Sequence, residues 1–298
     1  MRSKPNEMTD TEKNKVRSGT LYLVSTPIGN LSDLSDRARK VLSEVDFIAA
    51  EDTRNSLRLL THFDIHKPMV SYFEHNKREH GDMIAERLEA GESCALVTDA
   101  GTPAISDPGE DLVALCAERG IPVTAIPGPV ASITALILSG LDTGRFCFEG
   151  FLPVDRKERI ERLTELQDEK RTILLHEAPH KLRKTLVDLQ NALGSDRKIS
   201  LCRELTKINE EILRTTLAGA NDYYRENAPR GEYVLVIEGL RVSEPKEVPF
   251  WHDMNLTEHV EFYQAQGLWK IDAIKQVAKD RSVPKKEVYN AVVKKRGE

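Results

Sequence analysis

The chain is 298 residues long, 40% hydrophobic and 31% charged, with a formal net charge of −5. That length exceeds what one hydrophobic core usually serves, so two domains, or two with a small appendage, are expected. No apolar run reaches membrane-spanning length, and the acidic balance sets aside indiscriminate coating of nucleic acid while leaving room for a local basic face; the expectation is a soluble, cytoplasmic protein with no membrane partner.

Residues 1–18 are polar, lack a signal-peptide core and read as a disordered lead-in. Thr20 to Thr26 is apolar and β-prone, ends at Pro27, and leads through Ile28-Gly29-Asn30 into a helix with Leu34, Ala38, Val41 and Leu42 on one face. Phe47 to Ala50 repeats the pattern as a strand running into EDTR and a basic helical segment. Met69 to Tyr72, Cys94 to Thr98 and Val123 to Ile126 read as further strands, with a helix over Asn76 to Ala90 and an apolar helix that ends at Gly140. Asp107 is the expected N-cap of a helix opening at Pro108, with Glu110 as its capping-box acid, and Gly120 closes that helix. Alternation of this kind specifies βα units on a mainly parallel sheet.

A second alternating set begins at Phe146 to Phe151, followed by a charged helix over Arg156 to Glu169, a strand at Thr172 to His176 and a helix over His180 to Leu193 stopped by Gly194. Ile199 to Leu205, Glu211 to Leu217 and Gly231 to Glu238 read as strands without intervening helices, which makes this half a mixed sheet. The expected organisation is a lead-in (1–18), an N-terminal α/β domain (19–128), a C-terminal α/β domain (129–241), a linker (242–256) and a helix-turn-helix-like module (257–298). From Lys270 to Arg296 there are nine Lys or Arg and three Asp or Glu, which suits either a nucleic-acid-facing surface or a solvated helical appendage.

Four loops stand at predicted strand ends: TPIGN (26–30), Asp99 to Ser106, PGPVAS (127–132) and EAPH (177–180). Loops at one edge of an open α/β sheet converge on a crevice, where exposed peptide groups can read a flat polar ligand; the alternative is tight connections with no ligand. There is no G-x-G-x-x-G or Walker loop, which disfavours an ordinary dinucleotide or P-loop enzyme. The four cysteines lie far apart with no Cys/His ligand spacing, so no metal and no disulfide framework is expected.

STPIGNLSDLSDRA, AAEDTR, VTDAGTPAISDPG, AIPGPVASITA, EAPHKL, CRELTK and APRGEYVLVIEG, in that order, closely resemble the ribosomal RNA small-subunit methyltransferase I family of the tetrapyrrole methylase superfamily. The resemblance implies an α/β fold of two tetrapyrrole-methylase-type domains plus a small C-terminal helical module. It also implies S-adenosylmethionine as cofactor, 2′-O-methylation of a cytidine in 16S rRNA within the 30S subunit, and a homodimer. Relatives hold the cofactor between two α/β domains, largely through backbone groups. Pro27, Gly29, Asp99, Gly101, Thr102 and Ile105 therefore become candidate contacts, with Pro127, Gly128, Ala131 and Ser132 as a second wall and Glu177, Gly231 and Tyr233 approaching from the other domain. Small-molecule relatives often carry a GPG first loop where this chain has Pro27-Ile28-Gly29-Asn30, a departure that favours the RNA branch; a histidine frequent in relatives is replaced by Asn209.

Methyl transfer is an in-line displacement, so holding the ribose oxygen opposite the sulfonium can supply roughly 7 to 11 kcal/mol of the barrier. A ribose hydroxyl is a weak nucleophile, and a carboxylate in reach can take its proton; Asp99, Glu177 and Glu232 are the candidates. Each has a plainer reading, as loop scaffold, helix cap and partner of Arg230 respectively. Arg54, Arg58, Arg203, Lys207, Arg230, Lys285 and Lys286 read as RNA-phosphate holders or as members of salt bridges. A tetrapyrrole-type small-molecule methylase and a non-catalytic RNA-binding assembly factor are the rival readings.

Overall fold

The computed structural model describes residues 15–241 and 249–293, which fall into two compact units, Met1–Leu240 and Arg241–Glu298. The first unit holds two five-stranded sheets. In the first sheet, β1 (Leu21–Val24), β2 (Phe47–Ala50), β3 (Met69–Ser71), β4 (Cys94–Val97) and β5 (Val123–Ile126) are all parallel, in the order β3-β2-β4-β1-β5. FIAA and CALV are buried at every position because helices cover both faces. Alternate residues sort the sides: Tyr22, Val24, Ile48 and Ala50 pack on α1 (Asp36–Glu44) and α2 (Thr53–His62). Leu21, Phe47, Ala49 and Leu96 pack on α3 (Lys77–Glu89) and α4 (Glu110–Glu118).

The chain then passes through α5 (Ala131–Ser139), closed by Gly140 in the left-handed region. The second sheet joins β6 (Phe146–Gly150), β7 (Thr172–Glu177), β8 (Lys198–Arg203), β9 (Glu211–Thr216) and β10 (Tyr233–Ile237) in the order β6-β7-β10-β8-β9. Only β6 and β7 run parallel, so the expected mixed sheet is present. One face, carrying Ile173, Leu175, Leu201 and Leu235, packs on α6 (Arg156–Glu165), α7 (Pro179–Leu193) and α8 (Leu217–Glu226). The other, carrying Leu174, Cys202, Val234 and Val236, packs on α5 and receives Ile28 from the β1 loop.

Three expectations are corrected. The helix α8 was not anticipated: Thr216 ends β9 and at the same time caps α8, accepting from Gly219 N at 3.2 Å, and the segment that follows carries glycine, asparagine, aspartate and two tyrosines, all weak helix formers. Asp107 is not an N-cap and Glu110 forms no capping box; Gly109 (φ +144°) makes the turn, a Cβ there would lie 2.9 Å from Leu96 Cδ2, and the helix starts only at Glu110. Residues 15–18 are packed rather than loose, with Val16 against the first-sheet core and Arg17 N donating to Tyr22 Oη at 2.7 Å. Residues 1–14 of the expected lead-in and 242–248 of the expected linker lie outside the described residues.

The second unit contains α9 (Leu256–Ala265), α10 (Lys270–Asp280) and α11 (Lys285–Val293) around Val260, Ala273, Val277 and Val288. The buried His259 ring stacks between Trp251 and Tyr263, and Arg281 donates to His259 Nδ1 at 3.1 Å and to Trp251 O at 2.9 Å. Trp251, expected in the linker, thus belongs to this core.

The two sheets of the first unit meet at loops. A Cβ on Gly29 would collide with the Lys207 side chain and sit 2.9 Å from Thr206 Oγ1 and 3.2 Å from Leu205 O. Gly29→Ala is therefore expected to lower stability by roughly 1–3 kcal/mol through overpacking between the β1 and β8 loops, read as an earlier urea midpoint at unchanged slope.

Candidate active-site cleft

Three strand ends of the first sheet build one wall. Thr26 N donates to Gly101 O at 2.8 Å and Gly101 N to Thr26 O at 3.1 Å, which pins the β4 loop to the β1 loop. Thr102 Oγ1 lies 2.8 Å from Ser25 Oγ and donates to Pro129 O at 3.1 Å, bringing in the β5 loop. Gly101 (φ +87°) sits where a Cβ would be 3.3 Å from Ile28, and one on Gly128 would be 2.8 Å from Ser25 Cβ. Gly101, Thr102 and Gly128 thus meet at the β1 loop, Gly29 lies against the β8 turn, and Pro27 and Pro127 adjoin these contacts in the chain. The peptide groups of Gly101 and the hydroxyl of Thr102 are spent on building the wall.

What the wall offers lies beside them. Ala104 (φ +66°) and Ser106 (φ +64°) are left-handed without being glycine, a strain that costs of order 1–3 kcal/mol each and marks a backbone held in place by its surroundings. Between them Ile105 is 42% exposed. Ala131 and the buried Ser132 open α5, which has no side-chain cap, so its first-turn N–H groups are available to a polar ligand.

The second wall comes from the other sheet. Ser106 Oγ would be 3.3 Å from a Cβ on Gly150, at the end of β6. His176 lies edge-on between Phe148 (5.1 Å) and Phe151 (5.6 Å), and its buried Nε2 has no partner among the described residues. Burial lowers its pKa against the pull of Glu232, so the ring is neutral near pH 7. Thr206 Oγ1 is likewise buried and unpartnered. The His176 Nε2, without a partner among the described residues and beside exposed Phe151 (56%), together with Ile105 exposed on the β4 loop, suits a ligand with both apolar and polar parts, as S-adenosylmethionine is.

The acids separate by environment. Glu177 is turned away from this cleft: alternation along β7 puts it on the helix-covered face with Ile173 and Leu175, where it accepts from Thr185 Oγ1 and from Ala178 N (2.8 Å). Thr185 is itself held by Arg159 at 2.8 Å, so Glu177 belongs to a buried structural network. Tyr233 shares that face; its ring meets Tyr224 edge-on at 5.9 Å and its hydroxyl accepts from Arg230 N at 3.2 Å. Glu232 is exposed and paired with Lys207 at 2.8 Å rather than with Arg230. Asp99 is exposed at the end of β4 and accepts from Asn55 Nδ2 at 3.1 Å. Gly231 (φ +73°) lies against the Glu204 side chain, with Oε1 2.7 Å from where its Cβ would be.

Asp107 is the acid that sequence reasoning missed, having read it as a cap. Burial, the nearby Glu51 charge and, more weakly, Asp99 push its pKa up to about 6, against a hydrogen bond with Thr98. Thr98 Oγ1 also donates to Glu51 at 2.6 Å. A hydroxyl has one proton to give, so Glu51 and Asp107 compete for the Thr98 donor, which limits how far that bond can offset the burial of Asp107. The spacing of Glu51, Asp99 and Asp107 gave no warning of this, since EDTR and VTDAGTPAISD come from different strands. Among the described residues no group of three His, Cys, Asp or Glu is arranged to hold a metal ion.

The basic candidates are mostly engaged. Arg54 forks onto Asp52 at 2.9 and 3.2 Å, holding that carboxyl down at about 2. Lys207 bridges Glu204 (2.9 Å) and Glu232 (2.8 Å); burial pulls its pKa down but the two carboxylates outweigh it and raise it. Arg203 pairs with Glu211 at 3.0 Å, while Arg58 and Arg230 are exposed. Lys285 and Lys286 are exposed on the first turn of α11, in the separate helical unit.

Residues 20–221 match the family model of tetrapyrrole (corrin/porphyrin) methylases. A protein of Halalkalibacterium halodurans named ribosomal RNA small subunit methyltransferase I is 50% identical over 91% of this chain and 94% of its own length. Its namesake in Synechocystis is 48% identical over 91% of this chain and 96% of its own length. Among solved structures, a cobalt-precorrin-4 methyltransferase of cobalamin biosynthesis superposes with a TM-score of 0.56 at 20% identity, covering 74% of this chain and 95% of its own, a likeness of fold.

Two outcomes follow from the acids. A raised folded-state pKa means stability is fully present below the ordinary value of 3.8 and is lost as pH rises through about 6. Asp107→Asn is therefore expected to be more stable than the parent at pH 8 by roughly 1–3 kcal/mol, the gain vanishing below pH 4 in urea melts. Glu177→Ala, by contrast, strips the buried partner of Thr185 and Ala178 N and is expected to cost roughly 2–4 kcal/mol, whereas Glu177→Gln keeps the shape and leaves donor binding by calorimetry within twofold of the parent. Loss of donor binding in Glu177→Gln at an intact fold would return Glu177 to the cleft.

Proposed function

The chain belongs to the tetrapyrrole (corrin/porphyrin) methylase family of S-adenosylmethionine-dependent methyltransferases, and on that premise we propose that it methylates the ribose 2′-oxygen of a cytidine in 16S rRNA. The observation that carries the RNA substrate is near-full-length identity of 48–50% to two proteins named for small-subunit rRNA methylation. The reading extends to a homodimer acting in the cytoplasm on the 30S subunit.

When bound, the donor supplies an electrophilic methyl group on a sulfonium centre. The backbone of 104–106, the uncapped start of α5 and the Pro127–Pro129 loop would hold it, with Ile105 and Phe151 shielding its apolar parts. The protein's main contribution is placement, because a preorganised approach of the ribose oxygen removes most of the entropic cost. Asp99 and Asp107 stand at the same strand end. Asp99, exposed and bonded only to Asn55, is placed to accept the hydroxyl proton. Asp107, poised near pH 6, exchanges its proton with solvent. His176, neutral and unpartnered, orients the donor or the ribose.

The test is transfer of a tritiated methyl group from S-adenosylmethionine to 30S subunits and to naked 16S rRNA, followed by nuclease digestion. A single 2′-O-methylcytidine is expected, more on assembled subunits than on free RNA. Label on a base, or on a tetrapyrrole and not on RNA, would overturn the proposal. In the same assay Asp99→Asn is expected to lower kcat roughly 10²-fold or more with donor binding intact, the usual weight of a proton acceptor.

A further inference from the structure

On the helix-covered side of the second sheet, opposite α5, a cavity of about 280 Å³ is lined by Arg203, Arg230, Tyr223, Tyr224, Glu211 and Asn227. We propose that this cavity is a docking subsite for one nucleotide of a single-stranded RNA segment, its phosphate held by Arg203 and Arg230 and its base stacked on Tyr223. The inference rests on RNA being the substrate and adds where the strand is held outside the methyl-transfer cleft.

The chemistry is specific to that class of ligand. Arg203 Nε is buried and has no partner among the described residues, although the other end of the same guanidinium pairs with Glu211 at 3.0 Å and reaches Asn209 O at 3.4 Å. A guanidinium with a dry, unused N–H is short of an acceptor, and a phosphate oxygen is the acceptor its fork fits best. Arg230 also lines the cavity, exposed and without an ion pair among the described residues, and its backbone is fixed because Arg230 N donates to Tyr233 Oη at 3.2 Å. Tyr223 is 37% exposed and is supported edge-on by Tyr224 at 4.9 Å, which in turn meets Tyr233 at 5.9 Å. Three tyrosines in series make a rigid platform with one accessible ring. Base stacking on such a ring is tolerant of sequence, while the two arginines supply the charge.

The size also discriminates. A cavity of about 280 Å³ is at the lower end of ligand-site sizes and has room for one nucleotide rather than several. The route to the cleft is short in sequence: Arg203 runs into Glu204–Lys207, the turn that lies against Gly29, and Arg230 runs into Gly231 and Glu232, which pack on and pair with that same turn. A strand held here therefore passes over the Lys207 bridge to reach the ribose site.

The experiment uses the full chain and a single-stranded oligoribonucleotide of roughly 12 nucleotides, within the usual range of single-strand site sizes, with anisotropy read across a salt series. Tyr223→Ala is expected to weaken binding roughly tenfold, and Tyr223→Phe to bind like the parent, because the ring and not the hydroxyl carries the contact. Arg230→Ala is expected to weaken binding to all sequences alike and to make the salt slope shallower by about one. Donor affinity by calorimetry stays unchanged in all three, which reports an intact fold. Parent-like RNA affinity in both alanine variants would overturn the subsite, as would equal losses in Tyr223→Phe and Tyr223→Ala. So would displacement of the strand by an equal concentration of free cytidine monophosphate. Failure of the parent protein to bind or methylate any small-subunit RNA would instead remove the functional reading beneath it. A parent that methylates 30S subunits, with variants of unchanged KM, would remove the subsite alone.

Discussion

Two hydrogen bonds between Thr26 and Gly101 set the geometry on which everything else depends. They close β1 and β4 at the carboxyl end of the first sheet into a single platform, and the hydroxyls of Ser25 and Thr102 then draw in the β5 loop through Pro129 O. Backbones can approach this closely only where side chains are missing, which is why Gly29, Gly101 and Gly128 stand at the three crossings and why a Cβ at each would meet a neighbour at 3.3 Å or less. The same closeness carries Ile28 into the core of the second sheet, so the platform and the seam between the sheets are one construction. A cleft built in this way is pre-formed, and its ligand does not bear the entropy of ordering three loops.

Charge then divides the cleft into regions. Glu51, Asp99 and Asp107, which follow β2 and β4, lie near enough to raise the pKa of Asp107 to about 6, so that member of the cluster takes up a proton only as the pH falls towards 6. Across the seam, burial keeps His176 neutral. Under the proposed function, a sulfonium-bearing donor and a ribose hydroxyl would meet an acidic side and an uncharged, partly aromatic side, an arrangement that favours a small cation without neutralising it by a tight ion pair.

Among the described residues the sequence pattern revealed all ten strands and every α-helix but α8, because buried parallel strands such as FIAA and CALV are short apolar runs between turn signals. It revealed the converging loops for the same reason, since Pro and Gly punctuate them. It failed where one residue serves two elements, as Thr216 does in ending β9 and capping α8. It also failed where a face had to be assigned: Glu177 ends β7 beside EAPH, but the two-residue alternation set by Ile173 and Leu175 carries it to the helix side. Ion pairs were legible only where the partner is local, as Asp52 is for Arg54. Lys207 read as a phosphate holder or a salt-bridge member, and its second carboxylate, Glu232 just ahead of β10, comes from 25 residues further along the chain.

That pairing bears on how an acidic protein recognises RNA. With a net charge of −5, the chain repels a polyanion at long range, and Arg54, Arg203 and Lys207 each begin from a carboxylate partner. Partly exposed ion pairs of this kind are worth only about 0–1 kcal/mol each, so exchanging a carboxylate for a phosphate requires little work once the strand is in place. Until it is in place, the carboxylates cancel the attraction that would hold RNA in any other register. Binding then depends on several phosphates reaching their cations together, and a folded small-subunit RNA presents them at fixed spacing where a random strand does not. On the proposed function, cations held in reserve by weak pairs would convert a generic attraction for phosphate into selection for shape.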